Sequence, residues 1–473
     1  MTSAHRVLGR AVVRLGFAVI FVGAALTETW PADMSNASGC TSPYKKKAVA
    51  ASRLHSIVQS HGRWLEQWYE GGQRADLCQS DLRQASLNGA NLERANLEGA
   101  MLRQANLSQS LLTQASLAGA DLTSAVLVDS NLSGADARKA RLSHANLFRA
   151  IGDEAALFDA TLIGAQLHES TFERAHFEGA DLATADFSNA NLVEAFFYGA
   201  NLHRAILSGA DLLQADLRRA NMTRAILNKT HMEGALLDHA LLSGARLIEA
   251  DLEGAFLDEA ELTEASLPDA LLRGADLRFA NLHAAGLQRA DLEGVNFEGA
   301  RLVKAKLQSA NLNRAILYHA VFDEADLRDA RLHQAVLIGA RGSGAVFTKA
   351  DLTDVYAPRA VLQKATFSNA KLESANLVAA NLKRANLSNT NLAHANLQEA
   401  NLQEASCPGA DFTAAQMHGA DLRLADLRAA KLAEAVGLTQ GQLDTACLNE
   451  RTTVPPGLTR PSPCPAHNER RRG

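Results

Sequence analysis

The chain is short of the residues on which many small folds and many chemistries depend. Five cysteines among 473 residues are too few for a disulfide-built domain, and no CxxC pair occurs, which excludes a zinc module or a redox dithiol of that type. Aromatic residues make up 5% of the chain, so any core must be built from smaller side chains. Neither sign of charge dominates: 47 basic against 52 acidic residues leave a net charge of −5, with no basic footprint for nucleic acid. Long hydrophobic runs are missing except for Leu15 to Leu26, twelve residues that suit a signal-peptide core and are too short to span a bilayer. Arg6, Arg10 and Arg14 precede that run. We therefore expect residues 1–37 to be a signal peptide, cleaved after Ala25 (Gly23 at the minus-three place) or after Ala37 (Ser35 there). A retained N-terminal membrane anchor is the alternative. Ala37-Ser38-Gly39-Cys40 lacks the leucine of a lipoprotein box and lies far beyond the apolar run.

What the chain has in abundance is a period of five. From Ala75 to Ala430, 72 consecutive five-residue blocks run without an insertion or deletion, and 64 of them begin with Ala. The exceptions, Ser80, Ser110, Ser130, Ser170, Thr230, Val295, Val355 and Thr390, are all small. Two places later stands Leu or Phe in 64 blocks and Met in three, leaving Ala137, Gly152, Gly342, Ala357 and Cys407 as departures. On a helix every fifth residue is rotated by about 140°, so the leucines would spiral around all faces. On a flat strand an odd period would send them to alternate sides. Only a chain that turns after each block points every centre inward, and stacking the turns buries a continuous core. The residue before the centre is most often Asp or Asn, which accept turn conformations and bond local backbone.

In runs such as Ala375-Asn376-Leu377-Val378-Ala379 and Ala395-Asn396-Leu397-Gln398-Glu399 the chain resembles the pentapeptide-repeat family, whose consensus is Ala-(Asp/Asn)-Leu-X-X. The resemblance implies an all-β solenoid, a right-handed quadrilateral β-helix with four blocks to a coil of 20 residues. The 72 blocks then make 18 coils over residues 74–435, a rod roughly 85 Å long at a strand spacing of about 4.8 Å.

Both open ends of such a rod need covering. In residues 38–73, a linker followed by a capping helix, Leu54, Ile57, Val58, His61, Trp64, Leu65 and Trp68 fall on one helical face. The helix is expected from about Lys46 to Glu70, stopping at Gly71-Gly72. In residues 436–473, the C-terminal cap and proline-rich tail, Thr439 and Gln442 form a capping box, and a short helix should run to about Cys447. Cys447 and Cys464 flank a proline-rich loop and form a sensible disulfide in an oxidising compartment. Cys40 and Cys78 are a less secure second pair. Cys407, at a block centre, reads as a small buried hydrophobe.

No catalytic constellation emerges. No two of the 15 histidines lie 20 apart, so none stack on neighbouring coils, and glycines at block ends read as turn residues. No cofactor and no metal is called for, and the chain is read as a non-enzyme. One wall, centred on Leu77, Leu97, Leu117 and onward, carries unusual outward residues. Phe196, Leu236, Phe256, Ile316, Val336 and Tyr356 stand before its centres; Phe158, Tyr198, Tyr318 and Ile338 stand after them, with Phe279 one place further. These eleven form a candidate interaction strip. Another wall, centred on Leu92, is acidic at Asp211, Glu233, Asp251, Glu253, Asp291 and Glu293 and reads as a solvated face relieved by His231 and Arg273. Local dents are expected at Gly152-Asp153-Glu154 and around Gly342, Ala357 and Pro358. The favoured function is an interaction scaffold of the bacterial cell envelope, periplasmic or secreted, that binds an unknown protein or envelope component, with a homodimer possible. No nucleic-acid partner is expected, and a membrane only if the N-terminal segment is retained. The alternative is the family's cytoplasmic DNA-mimic role at topoisomerase, which the mild charge and the export signals oppose.

Overall fold

The structure is a computed structural model in which residues 40–461 are described; the expected signal peptide and Cys464 lie outside them. The chain divides into two units between Thr41 and Ser42. The second is a solenoid of single-residue parallel β bridges, each linking a residue to the one 20 further on. They run without a break from Asp76↔Asn96 to Gln416↔Val436. Four ladders rise side by side, and the block starts and centres of all four walls are buried in one core.

The backbone hydrogen bonds explain the consensus. Within each block the N–H before the centre and the N–H of the centre bond neighbouring coils, as in Asn96 N–H to Ala75 O (2.9 Å) and Leu77 N–H to Asn96 O (2.7 Å). The last N–H does likewise (Gln79 to Glu98 O, 2.8 Å), and the alanine N–H closes the turn on the preceding leucine (Ala85 to Leu82 O, 3.0 Å). That leaves the N–H just after the centre. The Asp or Asn side chain takes it, as in Glu93 N–H to Asn91 Oδ1 at 3.1 Å. The last residue of each block is left-handed, with φ of 58° at Arg94 and 66° at Gly89, which makes the corner.

This pattern corrects the expected dents. Pro268, Pro358 and Pro408 all occupy the place after a centre, where the missing N–H breaks no ladder bond, and the bridges run straight through. Gly152 and Gly342 leave no hollow either. A Cβ on Gly152 would lie 2.1 Å from the Phe172 ring, and one on Gly342 would lie 1.9 Å from the Phe322 ring. A phenylalanine one coil away fills the space that leucine fills elsewhere.

At the N-terminal end, helix α1 spans Ala51–Glu66, five residues shorter at its start and four at its end than the periodicity suggests. Lys45 and Ala48 are instead drawn into bridges with Ser80 and Asp81, and Trp68 and Tyr69 turn left-handed. Leu54 enters the core, with Ile57 and Val58 packed against it, but Trp68 is 85% exposed and leaves the expected face. Gly72 is required where the chain folds back on α1, since a Cβ there would sit 2.2 Å from Ser60 O. At the other end, Thr439 and Gln442 form the expected capping box, although helix α2 covers only Gln440–Leu443. Beyond it the chain rejoins the ladders at Cys447↔Asp426 and Thr453↔Lys431. Between Leu443 and Cys447 the chain turns instead of continuing the helix, and bridging resumes at Cys447 itself.

Candidate interaction surface

The strip residues sit where the 20-residue spacing puts them. A single ladder joins His176, Phe196, Asp216, Leu236, Phe256, Asp276, Asn296, Ile316, Val336 and Tyr356 in that order. Phe158, Tyr198, Tyr318 and Ile338 follow the centres of the same wall. Phe256 is 46%, Tyr198 41%, Tyr318 37% and Tyr356 45% exposed. Phe196, Leu236, Ile316, Val336, Phe158 and Ile338 are half-buried between their neighbours. Phe279 stands apart: it occupies a left-handed corner (φ 56°) with its ring against Gly299.

The apolar surface is not one unbroken strip. Toward the N-terminal end His176, which the sequence reading passed over, lies stacked between Phe158 (4.9 Å) and Phe196 (4.7 Å). Its Nδ1 is 3.0 Å from Glu178. Arg218 and Arg219 lie 5.9 Å from the Tyr198 ring, a distance at which a guanidinium is attracted to the ring face. Toward the C-terminal end Ile316, Tyr318, Val336, Ile338 and Tyr356 form a second group. Between the two groups only Leu236 and Phe256 are apolar.

The intervening charges are largely paired along the block. Arg218 grips Asp216 through two nitrogens at 2.8 and 2.6 Å, and Arg278 holds Asp276 at 2.9 Å. The Asp partners raise both guanidinium pKa values, chiefly through those hydrogen bonds. Asp238 differs. Burial pushes its carboxyl above the ordinary value, against the backbone hydrogen bond it accepts from Asp258. Asp258 Oδ1 is buried without a hydrogen-bond partner. The alignment of residues 20 apart contained the signal for these groups, but a search for apolar side chains passes over them.

The wall centred on Leu92 is a paired, solvated face. Arg273 lies 2.6 Å from Asp291, Arg314 lies 3.2 Å from Glu293, and Asn311 donates to Asp291 at 2.9 Å. Of the cysteines, Cys40, Cys78 and Cys447 are disulfide-bonded, while Cys407 is free, fully buried and pushed well above the ordinary thiol pKa by that burial. A cleft of about 1070 Å³ lies between α1 and the first coil, lined in part by Leu54, Val58, Leu82, Leu87, Arg83 and Arg103. Among the described residues no cluster of His, Cys, Asp and Glu has metal-ligand geometry, and no helix is long and apolar enough to cross a membrane.

With this geometry in place, comparison with known proteins gives a family. The model for pentapeptide repeats (8 copies) matches residues 73–109, 115–151, 153–317 and 325–428, the last two through overlapping matches. The chain belongs to the pentapeptide-repeat family, whose fold is the right-handed quadrilateral β-helix. It is similar to the solved structure of HetL, a pentapeptide repeat protein involved in heterocyst differentiation regulation in the cyanobacterium Nostoc sp. strain PCC 7120. The two are 31% identical over 48% of this chain and 91% of that one, with a TM-score of 0.24. A pentapeptide repeat protein of the Arabidopsis thaliana thylakoid lumen is 34% identical over 19% of this chain and 62% of that one, with a TM-score of 0.19. QnrB1, a plasmid-mediated fluoroquinolone resistance protein, is 19% identical over 38% and 84% respectively, with a TM-score of 0.22. Superpositions at these scores transfer no site to this chain. No curated protein matches the sequence.

Proposed function

We propose that this pentapeptide-repeat protein is a non-enzymatic scaffold of the bacterial cell envelope that holds a protein partner along its aromatic wall. The observation that carries the reading is the exposure of Tyr198, Phe256, Tyr318 and Tyr356 on one wall, where side chains before and after the centres are otherwise mostly polar. Large exposed rings gathered on one face are a costly surface for a free rod and a good one for a contact. On this reading the rod has 18 coils over about 85 Å, with α1 and the residues after Val436 closing its ends.

Cysteine chemistry supports the compartment in this reading. Disulfides persist in oxidising compartments, so bonded Cys40, Cys78 and Cys447 favour a periplasmic or secreted protein over the cytoplasmic topoisomerase alternative. Cys40 is read as the partner of Cys78, and Cys447 as that of Cys464. Intact mass and non-reducing peptide maps of protein from fractionated native cells test this. Loss of about 25 or 37 residues with both bridges present is the expected result, and a full-length cytoplasmic chain with five free thiols would overturn it. For the wall, replacing Phe256, Tyr318 and Ile338 with serine should abolish partner binding while leaving the far-ultraviolet β spectrum unchanged. Retained binding in that variant rules the wall out.

A further inference from the structure

The two apolar groups on the aromatic wall, and the charges between them, are arranged about a centre. Three coils before Phe256 the ladder carries Phe196, followed after its centre by Tyr198; three coils after it stand Ile316 and Tyr318. Five coils before it is Phe158, and five coils after it are Tyr356 and Pro358. Two pairs of charged positions after the centres match with opposite sign. Arg218 lies two coils before the centre and Glu298 two coils after; Asp238 lies one coil before and Arg278 one coil after.

A wall can face a copy of itself across a two-fold axis lying in the contact plane and running at right angles to the rod. That operation keeps each residue's place across the wall and reverses its place along the rod. With the axis at Phe256, it sets Tyr198 against Tyr318, Phe196 against Ile316, Arg218 against Glu298 and Asp238 against Arg278. Each of these pairs occurs twice. Phe256 meets its own counterpart on the axis. A parallel arrangement would instead keep Arg218 and Glu298 on different coils and lose both ion-pair sets.

We propose that the occupant of the aromatic wall is a second copy of this chain, bound antiparallel with its two-fold axis at Phe256. The inference rests on the wall being a binding surface, as argued under the proposed function, and specifies its partner. Three positions fit less well: Asp258 faces its own copy, Leu236 faces Asp276, and Glu178 faces Ile338. The contact runs ten coil steps of about 4.8 Å, roughly 48 Å. On a wall of about 10 Å width this gives on the order of 500 Å² of flat contact per copy, against about 800 Å² for a standard interface. The dimer is therefore expected to be weaker than a standard-size complex, and the ion pairs choose the direction of the partner.

The full chain tests this by sedimentation and site-directed cross-linking. Facing sheets stand about 10 Å apart, too far for a direct disulfide, so a short bismaleimide is the probe; buried Cys407 does not compete for it. Phe256→Cys should cross-link to itself, Tyr198→Cys alone should not, and a mixture of Tyr198→Cys with Tyr318→Cys chains should. In sedimentation Arg218→Glu or Glu298→Arg alone should weaken the dimer about tenfold, and the two together in one chain should restore it. Self-linking of Tyr198→Cys, or a dimer indifferent to the charge reversals, would overturn the proposal. A chain that stays monomeric through the micromolar range would overturn it too. That last result leaves the wall free for a different protein, and the serine variant of Phe256, Tyr318 and Ile338 decides that question separately.

Discussion

At the level of single residues, the repeat tolerates substitution where a neighbour supplies the missing atoms. Three of the serines that replace alanine at block starts show one way, while Ser80 Oγ is buried without a hydrogen-bond partner. Buried Ser110, Ser130 and Ser170 donate to the carbonyls of Leu107, Leu127 and Leu167 at 2.6–2.7 Å, so each hydroxyl is satisfied in a place built for a methyl group. The glycine centres show another. Because the Phe322 ring occupies the space above Gly342, Gly342→Leu overpacks the core and should cost about 1–3 kcal/mol. Phe322→Leu alone leaves a cavity in that layer. The double variant restores two leucines in adjacent coils and should be less destabilised than either single change. Hydrogen exchange of the coils on either side of residue 342 measures all three. A double variant as unstable as the sum of the singles would show that the ring and the glycine are not coupled.

At the level of the element, one imidazole adds a polar tie between α1 and the first coil to the packing of Leu54, Ile57 and Val58. Ala75 N–H donates to His61 Nδ1 at 3.1 Å, so the ring's other nitrogen carries the proton and donates to Glu93 O at 2.9 Å. The bond from Ala75 needs the neutral ring, because a protonated Nδ1 cannot accept it, whereas the bond to Glu93 O survives protonation. Burial lowers the His61 pKa below its ordinary 6.5, so as pH falls the unfolded segment takes up a proton before the folded one does. The stabilisation is therefore complete above pH 6.5 and drains away as pH falls toward the lowered folded value. Amide protection in α1 should drop on that acid side while the central coils stay protected, and His61→Gln should remove the pH dependence. Protection in α1 that does not change with pH down to 5 would show that the imidazole does not anchor the helix. The periodicity of residues 54–68 identified this helix, but its ends depended on contacts. Bridges claimed Lys45 and Ala48, and the left-handed turn at Trp68 and Tyr69 turned the chain back toward the first coil.

At the level of the molecule, the five-residue block and the 20-residue coil have different jobs. Any number of whole blocks keeps leucine at every centre, so the core does not record which wall a block belongs to. The outer surface does. Deleting residues 285–289 should leave a folded solenoid with little change in Tm, since one block is lost and every later centre remains apolar. It also turns everything after the deletion by one wall, so Ile316 and Tyr318 no longer lie on the wall of Phe196 and Phe256. Association through the aromatic wall should be lost. Deleting the whole coil 285–304 restores the alignment of the walls and serves as the control for stability. If the five-residue deletion unfolds the protein, the walls are not interchangeable and this account of the core is wrong.

The sequence by itself determined the period, the inward leucines, the small block starts and therefore the family, because each block folds under the same local rules and repeats them without a break. It also assigned all eleven strip residues to one wall, since stacking at 20 residues is a matter of counting, and the structure then set Phe279 apart at a corner. Only the tertiary structure decided what depends on neighbours one coil away. It shows that Phe172 and Phe322 fill the gaps at Gly152 and Gly342, and that Pro358 sits where no ladder bond is missed. It also shows His176 completing an aromatic stack, and Arg218 and Arg278 dividing the apolar strip. The physical reason is that local rules fix where a side chain points, whereas packing and charge pairing are set by what it meets there.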